Sequence, residues 1–141
     1  MTIDYSQLPV PTIFLYSIVA AAALIYTPFL VVAYARFTVG YDMYAPRAMF
    51  DKLPPYAQRA SWAHQNSFET FLLFVPAALM AYITGVNSDA AVVGAIAFPV
   101  ARLLYSIFYI LNIPLLRSLM FAIGGLSSGT LYVLSIMQAA K

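Results

Sequence analysis

The sequence predicts an all-α integral membrane protein that folds as a bundle of four transmembrane helices. Of its 141 residues, 63% are hydrophobic and only 9% are charged, and the mean hydropathy is +0.84. Soluble domains carry roughly 25% charged residues, so the composition excludes that class, and it is also too apolar for a disordered chain. Four long apolar stretches follow one another, and a sheet with open edges cannot stand in lipid. The four stretches are therefore predicted to be helices.

Each apolar stretch is long enough for a membrane-spanning helix, which needs about 20 residues. The first contains no charged residue before Arg36, and the third contains Arg102 as its one charged residue. We predict helices over residues 12–35, 55–84, 90–116 and 118–139, with a polar loop over residues 36–54. The whole chain, residues 1–141, is expected to form a single domain.

The basic residues predict the orientation of the chain in the membrane. Short connections make consecutive helices antiparallel neighbours, so that five basic residues fall on the side of the long loop and Lys141 falls on the other. Those on the loop side are Arg36, Arg47, Lys52, Arg59 and Arg117. By the positive-inside rule, the long loop is predicted to be cytoplasmic and both termini to lie on the opposite side.

Charge and cysteine content exclude several classes of function. Seven Lys and Arg against five Asp and Glu give a net charge of +2, which is far too small for the basic surface that nucleic-acid binding needs. The sequence has no cysteine, so any thiol chemistry needs a thiol from outside. His64 is the single histidine, and one histidine without a cysteine makes a poor metal site. We therefore predict no metal, and His64 taken alone is typical of an interfacial polar residue.

Polar residues on the second predicted helix lie where lipid is expected. Arg59, Asn66 and Glu69 are spaced at i, i+7 and i+10, and the helical period places them on one face. Ionisable residues inside a membrane are costly and usually face a cavity or a partner helix. This face is therefore a candidate functional surface.

A second polar stripe follows on the third predicted helix. Arg102, Tyr105, Tyr109 and Asn112 are spaced at i, i+3, i+7 and i+10, which again places them on one face. Because the two helices are predicted to be antiparallel, the stripes reach similar depths. We expect them to meet in a cavity open to the cytoplasm, with Arg117 at its mouth.

Structural explanations for these residues stay open beside the functional one. A buried ion pair of Glu69 with Arg102 or Arg59 would fix the register of the helices without any catalytic role. Tyr105 and Tyr109 are also typical of the aromatic belt at a membrane interface. Small residues on the fourth predicted helix indicate a close-packing face. They are Gly124, Gly125, Ser127, Ser128 and Gly129.

Two motifs resemble those of the MAPEG family, the membrane-associated proteins of eicosanoid and glutathione metabolism. The family motif Arg-x-x-Arg-Ala-x-x-Asn-x-x-Glu is matched on the second helix at Arg59, Ala63, Asn66 and Glu69. The family pattern Arg-x-x-Tyr-x-x-x-Tyr followed by Arg-Ser is matched further along the chain. Its matching residues are Arg102, Tyr105, Tyr109, Arg117 and Ser118. The resemblance covers nearly the whole chain in segment count, length and loop pattern.

The resemblance implies a homotrimer that binds glutathione, its co-substrate, between neighbouring protomers on the cytoplasmic side. It also implies transferase or peroxidase activity on lipophilic electrophiles or lipid hydroperoxides that arrive from the membrane lipid. Arg117, or in second place Arg102, would activate the glutathione thiol as the catalytic cation. The residues implied to hold glutathione are Arg59, His64, Asn66, Glu69, Tyr105 and Tyr109.

One position departs from the family motif. Trp62 stands where the family has the arginine that helps to hold glutathione in the eicosanoid enzymes, and Arg36, Arg47 or Lys52 are candidates to replace it. Two other interpretations therefore stay open. One is a non-catalytic membrane protein with the MAPEG fold and altered ligand binding, and the other is a small transporter in which Glu69 couples transport to protons.

Overall fold

The protein is described by a computed structural model that covers residues 9–141, so residues 1–8 of the predicted domain lie outside the described range. A 3₁₀ helix, Pro46–Lys52, lies in the first connection. The four long helices are α1 Val10–Thr38, α2 Pro55–Ile83, α3 Asp89–Ile110 and α4 Pro114–Ala139. Each is long and apolar enough to span a membrane, which confirms the prediction of an all-α bundle of four membrane helices.

The boundary between α3 and α4 differs from the prediction. The predicted span 90–116 is wrong at its C-terminal end, because α3 ends at Ile110 and α4 begins at Pro114, four residues before the predicted start. Asn112 adopts a left-handed backbone conformation, with a φ of 59°, which asparagine tolerates at a helix end. Proline has no N–H and suits the first turn of a new helix. Asn112 therefore lies in the turn rather than on the α3 stripe, and Arg117 lies in the first turn of α4.

The polar connection between α1 and α2 is more structured than the predicted loop over residues 36–54. Met49 of the 3₁₀ helix and Leu53, which directly follows that helix, are both buried, with exposed fractions of 1% and 4%. Leu53 packs with Val32 of α1 and Ala57 of α2. The connection is therefore packed against the adjoining ends of both helices.

The centre of the bundle is formed by α3 and by small residues of α2. Half of the most apolar segment of α3 is buried, against 28% for each of the other helices. Phe74 of α2 and Phe98 of α3 stack with ring centres 3.8 Å apart. Buried alanines on α2 allow neighbouring helices to approach closely. They are Ala57, Ala60, Ala63, Ala77, Ala78 and Ala81. This close packing of α2 and α3 brings their polar faces together.

Candidate functional site

A chain of hydrogen bonds joins α2 and α3 where the two predicted polar stripes meet. The Nη2 atom of Arg102 donates to the Oδ1 atom of Asn66 at 2.9 Å and to the hydroxyl of Ser67 at 3.4 Å. The amide nitrogen of Asn66 donates in turn to the Glu69 carboxylate at 3.2 Å, and Gln65 donates to the other carboxylate oxygen at 3.3 Å. Asn66 therefore connects the buried cation of α3 to the carboxylate of α2.

Arg102 is almost completely buried, with 4% of its surface exposed. Its guanidinium carbon lies 4.0 Å from the centre of the Tyr105 ring, which gives a cation–π contact. Among residues 9–141, its Nε and Nη1 atoms have no hydrogen-bond partner. The sequence left open a direct ion pair with Glu69, and in the structure the Arg102 charge is linked to that carboxylate through the Asn66 amide.

Arg59, at the other end of the α2 stripe, contacts the last turn of α3. Its Nε atom donates to the carbonyl oxygen of Ile110 at 3.0 Å. The last carbonyl groups of a helix lack intrahelical donors and carry partial negative charge, so a cation is favourable there. Arg59 lies seven residues from Asn66 on α2, and Ile110 lies eight from Arg102 on α3, about 10–12 Å along each helix axis. The two contacts together set the antiparallel register of α2 and α3.

Arg117 reaches the same region from the first turn of α4. Its guanidinium carbon lies 4.7 Å from the centre of the Tyr109 ring. Tyr109 also contacts Tyr105 edge-on, with ring centres 5.5 Å apart, and lies 6.4 Å from Trp62. An open cavity of about 380 Å³ lies beside this group, so a polar ligand there would contact aromatic, amide and carboxylate groups. Its lining residues are Trp62, Gln65, Asn66, Glu69 and Tyr109.

His64, which the sequence placed among the candidate ligand-binding residues, faces α1 on the other side of α2. Its Nδ1 atom lies 2.7 Å from the carbonyl oxygen of Ile25. Its ring packs against Phe29 and Phe68, with ring centres 5.1 Å away in each case. The structure therefore leaves His64 apart from the other candidate residues, which lie along the contact of α2 with α3 and at the start of α4.

A second cavity, of about 580 Å³, was not predicted from the sequence. It lies between α1, α2 and the 3₁₀ helix, and it brings Arg36 and Arg47 to the same opening as His64. The pair of arginines was visible in the sequence, and both were candidates to replace the family arginine. Their approach to α2 depends on how the connection packs, which hydropathy does not show.

The charged side chains along the contact of α2 with α3 suit a ligand that carries both positive and negative charge. Arg102, Arg117 and Arg59 supply cations, whereas the exposed carboxylate of Glu69 supplies an acceptor that two amides hold in place. Tyr109 adds a hydroxyl beside the open cavity. Across residues 9–141, no group of three or more His, Cys, Asp or Glu side chains is arranged to hold a metal ion.

Comparison with models of known protein families shows which family the chain belongs to. The model of the MAPEG family matches the sequence over residues 13–137, which is nearly the whole chain. The chain belongs to the MAPEG family. This confirms the resemblance drawn from the two motifs, and the MAPEG family includes glutathione transferases and peroxidases. Comparisons of this MAPEG protein with curated proteins and with solved structures return no significant match.

Proposed function

We propose that this MAPEG protein is a membrane-bound glutathione transferase or peroxidase that acts on lipophilic electrophiles or lipid hydroperoxides. The observation that carries the proposal is the hydrogen-bond chain from Arg102 through Asn66 to Glu69, which borders an open cavity. A purely structural ion pair would be satisfied by direct contact, without an exposed carboxylate that two amides orient.

Glutathione fits this group by charge and by hydrogen-bonding capacity. It carries two carboxylates and an ammonium group, so its site needs fixed cations and an acceptor. Arg117, Arg59 and Arg102 are the proposed cations, and Glu69 is the proposed acceptor for the ammonium group. Asn66, Tyr105 and Tyr109 complete the proposed site with hydrogen bonds.

Thiol activation is the proposed catalytic step, because the thiolate is the nucleophile and a free thiol with a pKa near 8.5 is mostly protonated at neutral pH. A fixed cation beside the sulfur lowers the pKa of the thiol by favouring its charged form. Arg117 is the proposed catalytic cation, because it is half-buried and its guanidinium group contacts the ring of Tyr109, which lines the open cavity. Arg102 is the second candidate, since Asn66 holds it at the same site.

We propose a homotrimer, as is typical of the MAPEG family. Gln65 and Glu69 are exposed on α2, and Glu69 lies about 21 Å from the start of that helix. A carboxylate at that depth is tolerated when protein or a water-filled cavity covers it. A neighbouring protomer would supply such a cover. The long connection is proposed to face the cytoplasm, from its excess of arginine and lysine.

The function is tested by glutathione-dependent consumption of an aryl halide and of a lipid hydroperoxide by the purified protein in detergent. We expect turnover by the wild type and a loss of at least tenfold in Asn66→Ala, because that change breaks the link between Arg102 and Glu69. Asn87→Ala, at an exposed turn residue, is the matched control and should keep the wild-type rate. Absence of glutathione-dependent turnover in the wild type would refute the proposal.

Trp62 favours a second candidate function, a MAPEG-fold protein whose ligand binding has changed. Its indole lines the open cavity at the position where the family motif has an arginine. If glutathione binding has been lost there, the wild type will show no calorimetric binding and Trp62→Arg will gain it. Binding by the wild type, strengthened in Trp62→Arg by the added cation, would instead favour the enzyme.

A further inference from the structure

The open cavity beside Tyr109 has a carboxylate in its lining but no cation. Its lining residues are Trp62, Gln65, Asn66, Glu69 and Tyr109. Among these described residues, Glu69 supplies the carboxylate, and there is no arginine, lysine or histidine. The lining therefore favours positive charge and offers a ligand carboxylate no direct counter-ion.

The three arginines near the cavity already contact protein groups within one protomer. Arg102 is buried and donates to α2 at 2.9 Å, and Arg59 donates to the last turn of α3 at 3.0 Å. Arg117 lies 4.7 Å from the centre of an aromatic ring of α3, and it is the cation proposed to face the thiol. None of the three lines the cavity. A ligand with two separate carboxylates would therefore have one that lies away from any of these cations.

Trp62 presents an uncharged aromatic surface to this cavity, and its side chain is 44% exposed. Phe50 and Tyr109 flank the indole, with ring centres 5.6 Å and 6.4 Å away. An indole supplies one neutral N–H donor and no charge. A carboxylate that moved against it would lose hydration without gaining an ion pair, whereas an uncharged amide would lose much less.

Trp62 and Glu69 are the first and last residues of α2 that line the cavity. They are seven residues apart on one face of the helix, which corresponds to about 10 Å along its axis. An extended tripeptide also spans about 10 Å. With the ligand ammonium group at Glu69, as in the proposed function, the C-terminal end of a glutathione-type tripeptide reaches Trp62.

We infer that Trp62 selects a thiol tripeptide whose C-terminal carboxylate is capped as an amide, so that no negative charge lies against the indole. The inference rests on the proposed function, because the ammonium group at Glu69 sets the direction of the ligand. The cap lies away from the sulfur, so the thiolate still forms beside Arg117. Glutathione itself binds in the same cavity, but more weakly than its amide.

The test compares S-methyl glutathione with its C-terminal amide, two ligands of the same shape that differ by one negative charge. Calorimetry on the purified wild type should give a Kd for the amide that is about fivefold or more below that for the acid. Because Trp62 is the single tryptophan of the chain, its fluorescence should change with the same Kd. Affinities within about twofold of each other, tighter binding of the acid, or calorimetric binding without a fluorescence change would overturn the inference.

Substitution of Trp62 assigns the selectivity to this residue. Trp62→Arg should reverse the preference and bind the acid about tenfold more tightly than the wild type does, because a guanidinium pairs with a carboxylate. Trp62→Phe retains an uncharged ring and should retain the preference for the amide. Asn87→Arg, which adds the same charge at an exposed turn, is the matched control and should leave both Kd values unchanged. An unchanged preference in Trp62→Arg would overturn the assignment.

Turnover of the free thiols separates this inference from the proposed function. With an aryl halide, the wild-type kcat/KM should be about fivefold higher for glutathione amide than for glutathione, and Trp62→Arg should change KM more than kcat. If neither thiol supports turnover but the amide binds more tightly, the proposed function fails and the selectivity stands. If glutathione supports turnover and binds as tightly as the amide, the function stands and the inference fails.

Discussion

Replacing Asn66 and Arg102 by leucine, singly and together, tests how much the hydrogen bond between them contributes to the free energy of unfolding. Asn66→Leu removes the 2.9 Å acceptor of the Arg102 Nη2 atom and leaves the longer contact to Ser67 at 3.4 Å. Since the Nε and Nη1 atoms have no partner among residues 9–141, the guanidinium would be nearly unsatisfied. A hydrogen bond to a charged group contributes about 1.5–3 kcal/mol, so this is the expected loss in the free energy of unfolding.

The double variant decides between this explanation and a simple loss of packing. When both polar partners are replaced by apolar groups, no buried charge is left unpaired, and much of the lost stability returns. Unfolding would be followed by circular dichroism during titration with a denaturing detergent, with Asn87→Leu as the exposed control. We expect a coupling energy of about 1.5–3 kcal/mol between the two sites. Additive effects, with coupling below about 0.5 kcal/mol, would refute the reasoning.

Three further predictions follow from individual contacts. Arg59→Ala should lower the free energy of unfolding by about 1–2 kcal/mol, because the carbonyl of Ile110 loses its cationic donor, and Arg59→Lys should restore part of it in a denaturing-detergent titration. His64→Phe should cost about 1 kcal/mol in the same titration, because the contact to the backbone of α1 is lost while the aromatic packing is kept. In this cysteine-free chain, Tyr44→Cys should react with an impermeant thiol reagent from the cytoplasmic side and Asn87→Cys from the other; labelling of both from one side would contradict the proposed topology.

The number of membrane helices was predictable because hydropathy alone decides it. Polar or turn-forming residues separate the apolar stretches, and the observed α2 agrees with the predicted span to within one residue. The end of α3 was not found in the same way, because residues 111–116 are apolar apart from Asn112 and Pro114. The signal was present in those two residues, which close one helix and open the next. The prediction followed hydropathy and gave too little weight to these two turn-forming residues, so it placed the end of α3 too late in the chain.

The meeting of the two polar stripes was predictable from helical spacing and antiparallel order. Arg102 and Asn66 do form a direct hydrogen bond. Spacing does not determine which atoms pair, however, so the role of Asn66 between Arg102 and Glu69 was not foreseen. The same limit applies to Arg59, which shares a helix face with Glu69 in the sequence but donates to the backbone of α3.

The arrangement around His64 depends on tertiary packing that a single sequence does not reveal. Its position two residues before Asn66 turns its ring away from the Asn66 face and toward α1. The neighbouring cavity with Arg36 and Arg47 exists because the 3₁₀ helix brings the connection back over α2. The sequence predicted only a polar loop there. Because a loop without predicted secondary structure gives no positions for its side chains, the cavity could not be predicted.

The ionisation state of bound glutathione is the most direct test of the proposed chemistry. Glutathione is titrated into the purified protein near neutral pH, and the ultraviolet absorption of the thiolate is recorded for the wild type, for Arg117→Ala and for Lys141→Ala as an exposed control. We expect thiolate absorption on saturation in the wild type and in Lys141→Ala, and its loss in Arg117→Ala, because a fixed cation lowers the thiol pKa. Glutathione that binds to the wild type and stays protonated, or that does not bind at all, would contradict the account.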